Sequence, residues 1–186
     1  MVSAVDETAT LNRALSDHPD LPPTQQVQIL AQAKAKDVAA SAGPALVLGC
    51  DSMLELDGQV LGKPEGPADA WQRIRQQAGR HATLHTGHCL INTGPPRAGG
   101  PSQAQGTASA LVRFGSMTDQ EISAYVATGE PLGVAGAFTI DGVGGPFIES
   151  IDGDPHAVVG VSLPLLRHLL SALGVSVMEL WRPGLS

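Results

Sequence analysis

The chain has 186 residues, 42% of them hydrophobic and 16% charged, with Lys+Arg 11 against Asp+Glu 18 and a net charge of −7. That length predicts one domain, residues 1–186, with a sizeable core. The acidic balance and 3% aromatic content exclude the basic footprint and stacking platform of a nucleic-acid binder. No apolar run approaches the ~20 residues of a membrane helix, and the start Met1–Glu7 lacks the basic and apolar regions of a signal peptide. Cys50 and Cys89 are too few for a disulfide scaffold or a cysteine-only zinc site. The expectation is a soluble, cytoplasmic, reduced protein with neither nucleic acid nor membrane as a partner.

In chain order, residues 24–40 (TQQVQILAQAKAKDVAA) predict a helix, because Val27, Leu30, Ala31, Ala35 and Val38 recur at helical spacing. Gly43 and Pro44 stop it. Ala45 to Asp51 is a short apolar run suited to a strand buried on both faces and ending at Asp51. Asp57-Gly58 between two apolar runs predicts a two-residue hairpin whose register, continued, sets Ser52 opposite Lys63. Residues 67–78 predict a second helix, with Pro67 in its first turn. Residues 81–92 read as a strand, Thr93 to Ser109 as a long mobile loop, and 110–114 as another strand. Thr118 and Glu121 form a capping-box pattern opening a helix that runs towards Gly129. Residues 135–151 read as two strands joined by a glycine-rich turn, and 162–173 as a last helix closed by Gly174. The order predicts an α/β domain with a mixed β-sheet and flanking helices.

Asp51 is the leading candidate for chemistry, because a carboxylate at the end of a buried strand sits where α/β sheets place ligands; its structural alternative is a carboxylate satisfied by a nearby backbone N–H. Lys63 follows in a Gly-Lys-Pro turn, with a solvated lysine as the plainer reading. Lys34 interrupts the small-residue face Ala31/Ala35 and can reach the same sheet edge or snorkel to solvent. His85 and His88 form H-x-x-H, but three-residue spacing on a strand points to opposite faces, so a metal pair is discounted. Cys50 has apolar neighbours and reads as an inert thiol. The glycines of 142–145 are what a hairpin needs, and only weak evidence for a phosphate loop.

The ordered set LAQAKAKDVA (30–39), LVLGCDSML (46–54), GKP (62–64), HATLHTGH (81–88), YVATGEP (125–131) and the stretch 135–166 resembles the Maf family of nucleoside triphosphate pyrophosphatases. The resemblance implies an inosine-triphosphatase-like α/β fold and hydrolysis of nucleoside triphosphates to the monophosphate and pyrophosphate with a divalent cation, Mg²⁺ or Mn²⁺. By the same resemblance, Asp51 is the proton acceptor that activates water and a candidate metal ligand. Lys34 and Lys63 neutralise the triphosphate, and Glu7 matches a carboxylate that helps hold metal or water. Ser52 and Asp141 fall at base-selecting positions. The family more often has Thr and Gln there, so the preferred base is open. The substrate partner is a nucleoside triphosphate, and monomer and homodimer both stay open.

The family opens with a strand and loop of the type LASxSPRR, and the match here begins after that unit. The chain is therefore expected to be N-terminally shortened relative to the family. Two readings compete: a start further upstream, or a degenerate relative that binds nucleotides without turning them over.

Overall fold

The computed structural model describes residues 2–95 and 100–181. Its strands form a five-stranded sheet, with helices before, between and after them: an α/β fold. The strands are β1 (Leu46–Leu56), β2 (Gln59–Leu61), β3 (His81–Asn92), β4 (Gln103–Phe114) and β5 (Ile148–Asp152), in the spatial order β2-β1-β3-β4-β5. The edge pairings β1/β2 and β4/β5 are antiparallel. The helices are α1 (Glu7–Asp17), α2 (Pro23–Ala39), α3 (Pro67–Gln77), α4 (Asp119–Ala127), α5 (Pro155–Val159) and α6 (Leu163–Ala172). Among the described residues no helix is long and apolar enough to cross a membrane. The chain divides into two units: residues 1–51, 87–108 and 161–186, and residues 52–86 and 109–160.

In the first unit, α2 lies against strand backbone. Its buried stripe is Val27, Leu30, Ala31 and Ala35. A methyl group added at Gly49 would sit 2.6 Å from the Ala35 nitrogen, and one at Gly87 2.7 Å from that of Gln28. Glycine on the strands permits this approach, against Ala31 and Ala35 at Gly49 and against the backbone of Val27 and Gln28 at Gly87. Leu46 and Leu48, on the alternate side of β1, pack with Leu90, Leu169, Leu170 and Leu173. Both faces of this part of β1 are therefore covered, as its apolar run predicts. Ser162 caps α6 by accepting the Leu165 N–H.

The second unit holds two apolar clusters. Leu54, Leu56, Leu84, Val112, Phe114 and Phe138 form one, with the Phe114 and Phe138 rings edge to face at 5.0 Å. Ala70 and Ile74 of α3 meet Ile122 and Tyr125 of α4 in the other. The Asp57-Gly58 turn has positive φ at both residues (52° and 78°) and sets Leu56 opposite Gln59, as the sequence predicts. The capping box of Thr118 and Glu121 is present at α4.

Several expectations are corrected. Asp51 lies inside an eleven-residue strand instead of at its end. The hairpin ladder ends at Leu54–Leu61, because the Gly62 carbonyl turns to accept from Arg73 Nη1 (2.9 Å) and the Gly136 N–H (3.1 Å). Lys63 is thus an exposed turn residue and not a strand partner of Ser52. The loop expected over 93–109 gives way to β4 from Gln103, and residues 96–99 of it lie outside the described residues. The start of β4 lacks large apolar side chains, yet its two sides are used. Ala104 packs with the α6 leucines, while Thr107 donates to the Thr24 carbonyl of α2 (3.1 Å).

Residues 135–147 hold 3-10 turns instead of the first of two predicted strands. Positive φ at Gly136 (70°) and Ala137 (58°) takes the backbone out of the extended region. The carbonyl of Gly136 is claimed by buried Gln77 at 2.6 Å. Helices α1 and α5 have caps at Asp6 and Asp154 and are not among the elements expected from the sequence; α1 buries none of its residues, and α5 has only five.

Candidate active site

Glycine on β1 and alanine on α2 create the setting of Asp51. Gly49 and Asp51 are two apart on β1, so both face α2. Ala31 and Ala35 meet Gly49, and Lys34, on the same helix, extends its amine to Asp51. Lys34 Nζ lies 2.6 Å from Asp51 Oδ1 and 2.7 Å from Glu7 Oε1. Side-chain exposure is 9% for Asp51, 21% for Lys34 and 40% for Glu7, so the cluster opens to solvent on the Glu7 side.

Glu7 reaches this position because it is the first residue of α1, directly after the N-cap Asp6, which accepts the Ala9 N–H at 2.9 Å. The segment before the helix is fastened to α2. Asp37 Oδ2 accepts from the Ser3 hydroxyl and the Ala4 N–H, each at 2.9 Å. The Ala4 N–H, seconded by the Ser3 hydroxyl, holds the Asp37 carboxyl below its usual range.

Electrostatics follow from this packing. Burial pulls the Lys34 ammonium towards a lower pKa, but the hydrogen bonds and charges of Asp51 and Glu7 outweigh it and raise the value. Cys50, next to Asp51, is pushed up to about 12 by burial first and by the Asp51 charge second. Its thiol stays protonated near neutrality and is a poor nucleophile.

The site residues expected from sequence separate into two groups. Glu7, Lys34 and Asp51 meet within hydrogen-bond distance in the first unit. Ser52, Lys63 and Asp141 belong to the second, each with its own surroundings. Thr86 Oγ1 donates to the Ala157 carbonyl (2.8 Å), so its 2.8 Å contact with Ser52 Oγ has Ser52 as donor. The turn carrying Lys63 is pinned by Arg73 on the Gly62 carbonyl, by Asp69 accepting the Glu65 N–H (2.9 Å), and by buried Pro64. Asp141 is exposed in the loop that follows the 3-10 turn at 135–137.

The two histidines have different partners. His85 Nδ1 meets Ser109 Oγ at 2.7 Å and its Nε2 meets Glu55 at 3.0 Å, while His88 Nε2 accepts the Ser162 N–H at 2.8 Å.

Among the described residues no group of three or more His, Cys, Asp or Glu could hold a metal ion. Asp51 and Glu7 nevertheless present two hard oxygen donors to one point. Mg²⁺ is commonly bound by one or two carboxylates completed by water and substrate phosphate. Both of those oxygens hold the Lys34 ammonium, so such an ion would have to share the two carboxylates with it.

Three contacts escaped sequence reasoning. Glu130 organises the 139–144 loop, Asp69 and Arg73 brace the Lys63 turn, and Asp37 fastens the N-terminal segment. The i,i+4 spacing of Asp69 and Arg73 was a readable signal. Glu130 and Asp37 bond residues far from the pattern around them.

Residues 1–173 match the family described as Maf-like protein. A protein of Streptomyces coelicolor named nucleoside triphosphate pyrophosphatase is 50% identical over 99% of this chain and 84% of its own length. Proteins with the same name from Streptomyces avermitilis (53% identical; 87% of this chain, 77% of the relative) and Salinispora tropica (48%; 100% and 79%) align comparably. With a match over nearly its whole length and relatives this similar, the chain belongs to the Maf family.

Proposed function

We propose that the chain hydrolyses nucleoside triphosphates to the nucleoside monophosphate and pyrophosphate, with Asp51 as the base that takes a proton from the attacking water. The relatives' shared name supports the reaction. The observation that carries the assignment of residues is the Glu7–Lys34–Asp51 cluster.

The water oxygen bonds to the α-phosphorus, the bond from that phosphorus to the bridging oxygen breaks, and pyrophosphate leaves while the proton passes to Asp51. A positioned base contributes roughly 10²–10⁴-fold. An ammonium has three donors. Lys34 uses donors on Asp51 and Glu7 and carries positive charge to an incoming phosphate. Lys63, presented by a braced turn, is the second cation. Together they offset the repulsion between a chain of net charge −7 and a polyanion. A divalent cation held by Glu7 and Asp51 would supply Lewis-acid neutralisation of phosphate charge. Ser52 and Asp141 are the side chains proposed to face the base.

The test is a panel of nucleoside triphosphates with Mg²⁺ or Mn²⁺, and with chelator in place of the metal, read out separately for pyrophosphate and phosphate. Metal-dependent pyrophosphate release supports the reading. Phosphate release in its place contradicts it, and nucleotide binding without either product identifies a non-catalytic relative.

A further inference from the structure

Glu130 follows α4, and its carboxylate is the centre of a small loop in the second unit. Oε1 accepts from the Thr139 hydroxyl in a short hydrogen bond and from the Gly144 N–H at 3.0 Å. Oε2 accepts from the Val143 N–H at 2.9 Å. These bonds lie on both sides of Asp141 in the chain. Gly142 passes so close that an added methyl carbon would sit 2.6 Å from the Glu130 carboxyl carbon. The glycine at this position is thus fitted to the carboxylate and is not merely a turn residue. The Thr139 hydroxyl bond, then the two backbone N–H groups, holds the Glu130 carboxyl below its usual range, so it is ionised at neutral pH.

From this geometry we infer that Glu130 is the positioning residue for base selection: its carboxylate fixes the 139–144 loop and thereby the placement of Asp141. The inference rests on the proposed reading of Asp141 as a base-facing residue. Glu130 touches loop backbone, Thr139 and the Tyr125 hydroxyl, and acts on the nucleotide through Asp141. Its neutral isostere cannot replace it. A Gln amide can accept through one oxygen only, and its NH₂ would face an N–H donor.

The experiment compares the ratio of kcat/KM between the best and poorest nucleoside triphosphates for wild type, Glu130→Gln, Gly142→Ala and Asp141→Ala. The ratio of Kd replaces it if the protein binds without turnover. Melting temperature confirms folding, and amide exchange at Val143 and Gly144 reports the loop. Glu130→Gln should lower the ratio by about tenfold or more, the scale of one misplaced hydrogen bond to a substrate group. Turnover of the poorest substrate should be kept and both amides should exchange faster. Gly142→Ala, which displaces the carboxylate from the other side, should do the same, and it carries the test if Glu130→Gln does not fold.

A ratio lowered by Asp141→Ala but untouched by Glu130→Gln and Gly142→Ala overturns the inference and leaves the reading of Asp141 standing. A ratio lowered by the Glu130 and Gly142 variants but not by Asp141→Ala overturns the reading of Asp141 and, with it, the inference that Glu130 acts through Asp141. An equal loss on every substrate shows a general structural role and overturns the inference. A wild-type ratio near one overturns both.

Discussion

Replacing Lys34 with Met keeps the apolar stem that lies along α2 and removes the charge between Asp51 and Glu7. Both carboxylate oxygens lie within 2.7 Å of the same nitrogen. Once the ammonium is gone they face each other without it, and charges ~4–5 Å apart repel by ~3–4 kcal/mol at an effective dielectric of ~20. Glu7 is 40% exposed, so solvent screening reduces that figure. The net cost falls between an exposed pair, below ~1 kcal/mol, and a buried pair broken on one side, ~3–5 kcal/mol. A cost of ~2 kcal/mol lowers the melting temperature of a chain this long by ~4–8 °C. Adding Glu7→Gln should restore part of the loss, and the double-mutant cycle isolates that coupling.

For the wild type, the raised Lys34 value fixes the sign at the alkaline end. Its stabilisation is complete below the unfolded lysine value of about 10.4 and is lost as pH climbs through the higher folded value. Thermal melting of wild type, Lys34→Met and the double variant from neutral to alkaline pH is the assay. An unchanged melting temperature for Lys34→Met at neutral pH would refute the reasoning.

Gly49→Ala and Gly87→Ala force α2 off the strands and should each cost ~1–3 kcal/mol or more, seen as a lower urea midpoint with an unchanged m-value. The Cys50 thiol, pushed up to about 12, should react with iodoacetamide at pH 8 far more slowly than a free thiol in the folded protein, and at the ordinary rate once unfolded.

The parts of the fold legible in the sequence are those with local causes. The α2 stripe, the Asp57-Gly58 turn, the Pro67 start of α3 and the Thr118–Glu121 box each depend on residues a few positions apart, and each is present. Local periodicity failed where pairing partners decide the structure. The first half of β4 is small and polar, and is a strand because β3 and α2 give its groups partners. Residues 135–141 look extended, yet positive φ at Gly136 and Ala137 breaks the strand, and Gln77 claims the Gly136 carbonyl that a strand would pair. At the site, strand placement pointed to Asp51, the small-residue helix face to Lys34 and family resemblance to Glu7, and the structure gives the physical reason they meet. The Gly49/Ala35 contact sets how near α2 comes to β1, a distance no pattern of spacing contains. Glu130 carried no role in the sequence because its bonds run to residues nine to fourteen positions on, across a loop with no regular period.

The role of Asp51 as the base for pyrophosphate release is measured by single-turnover pyrophosphate release from wild type and Asp51→Asn, with the metal and the preferred nucleotide at saturation. The substitution keeps the shape of the side chain and removes its basicity. With Asp51 as the base, release slows by at least ~10²-fold in a variant that still folds and binds the nucleotide. Near-normal release from a folded Asp51→Asn protein would contradict it and move the proton acceptor to another residue.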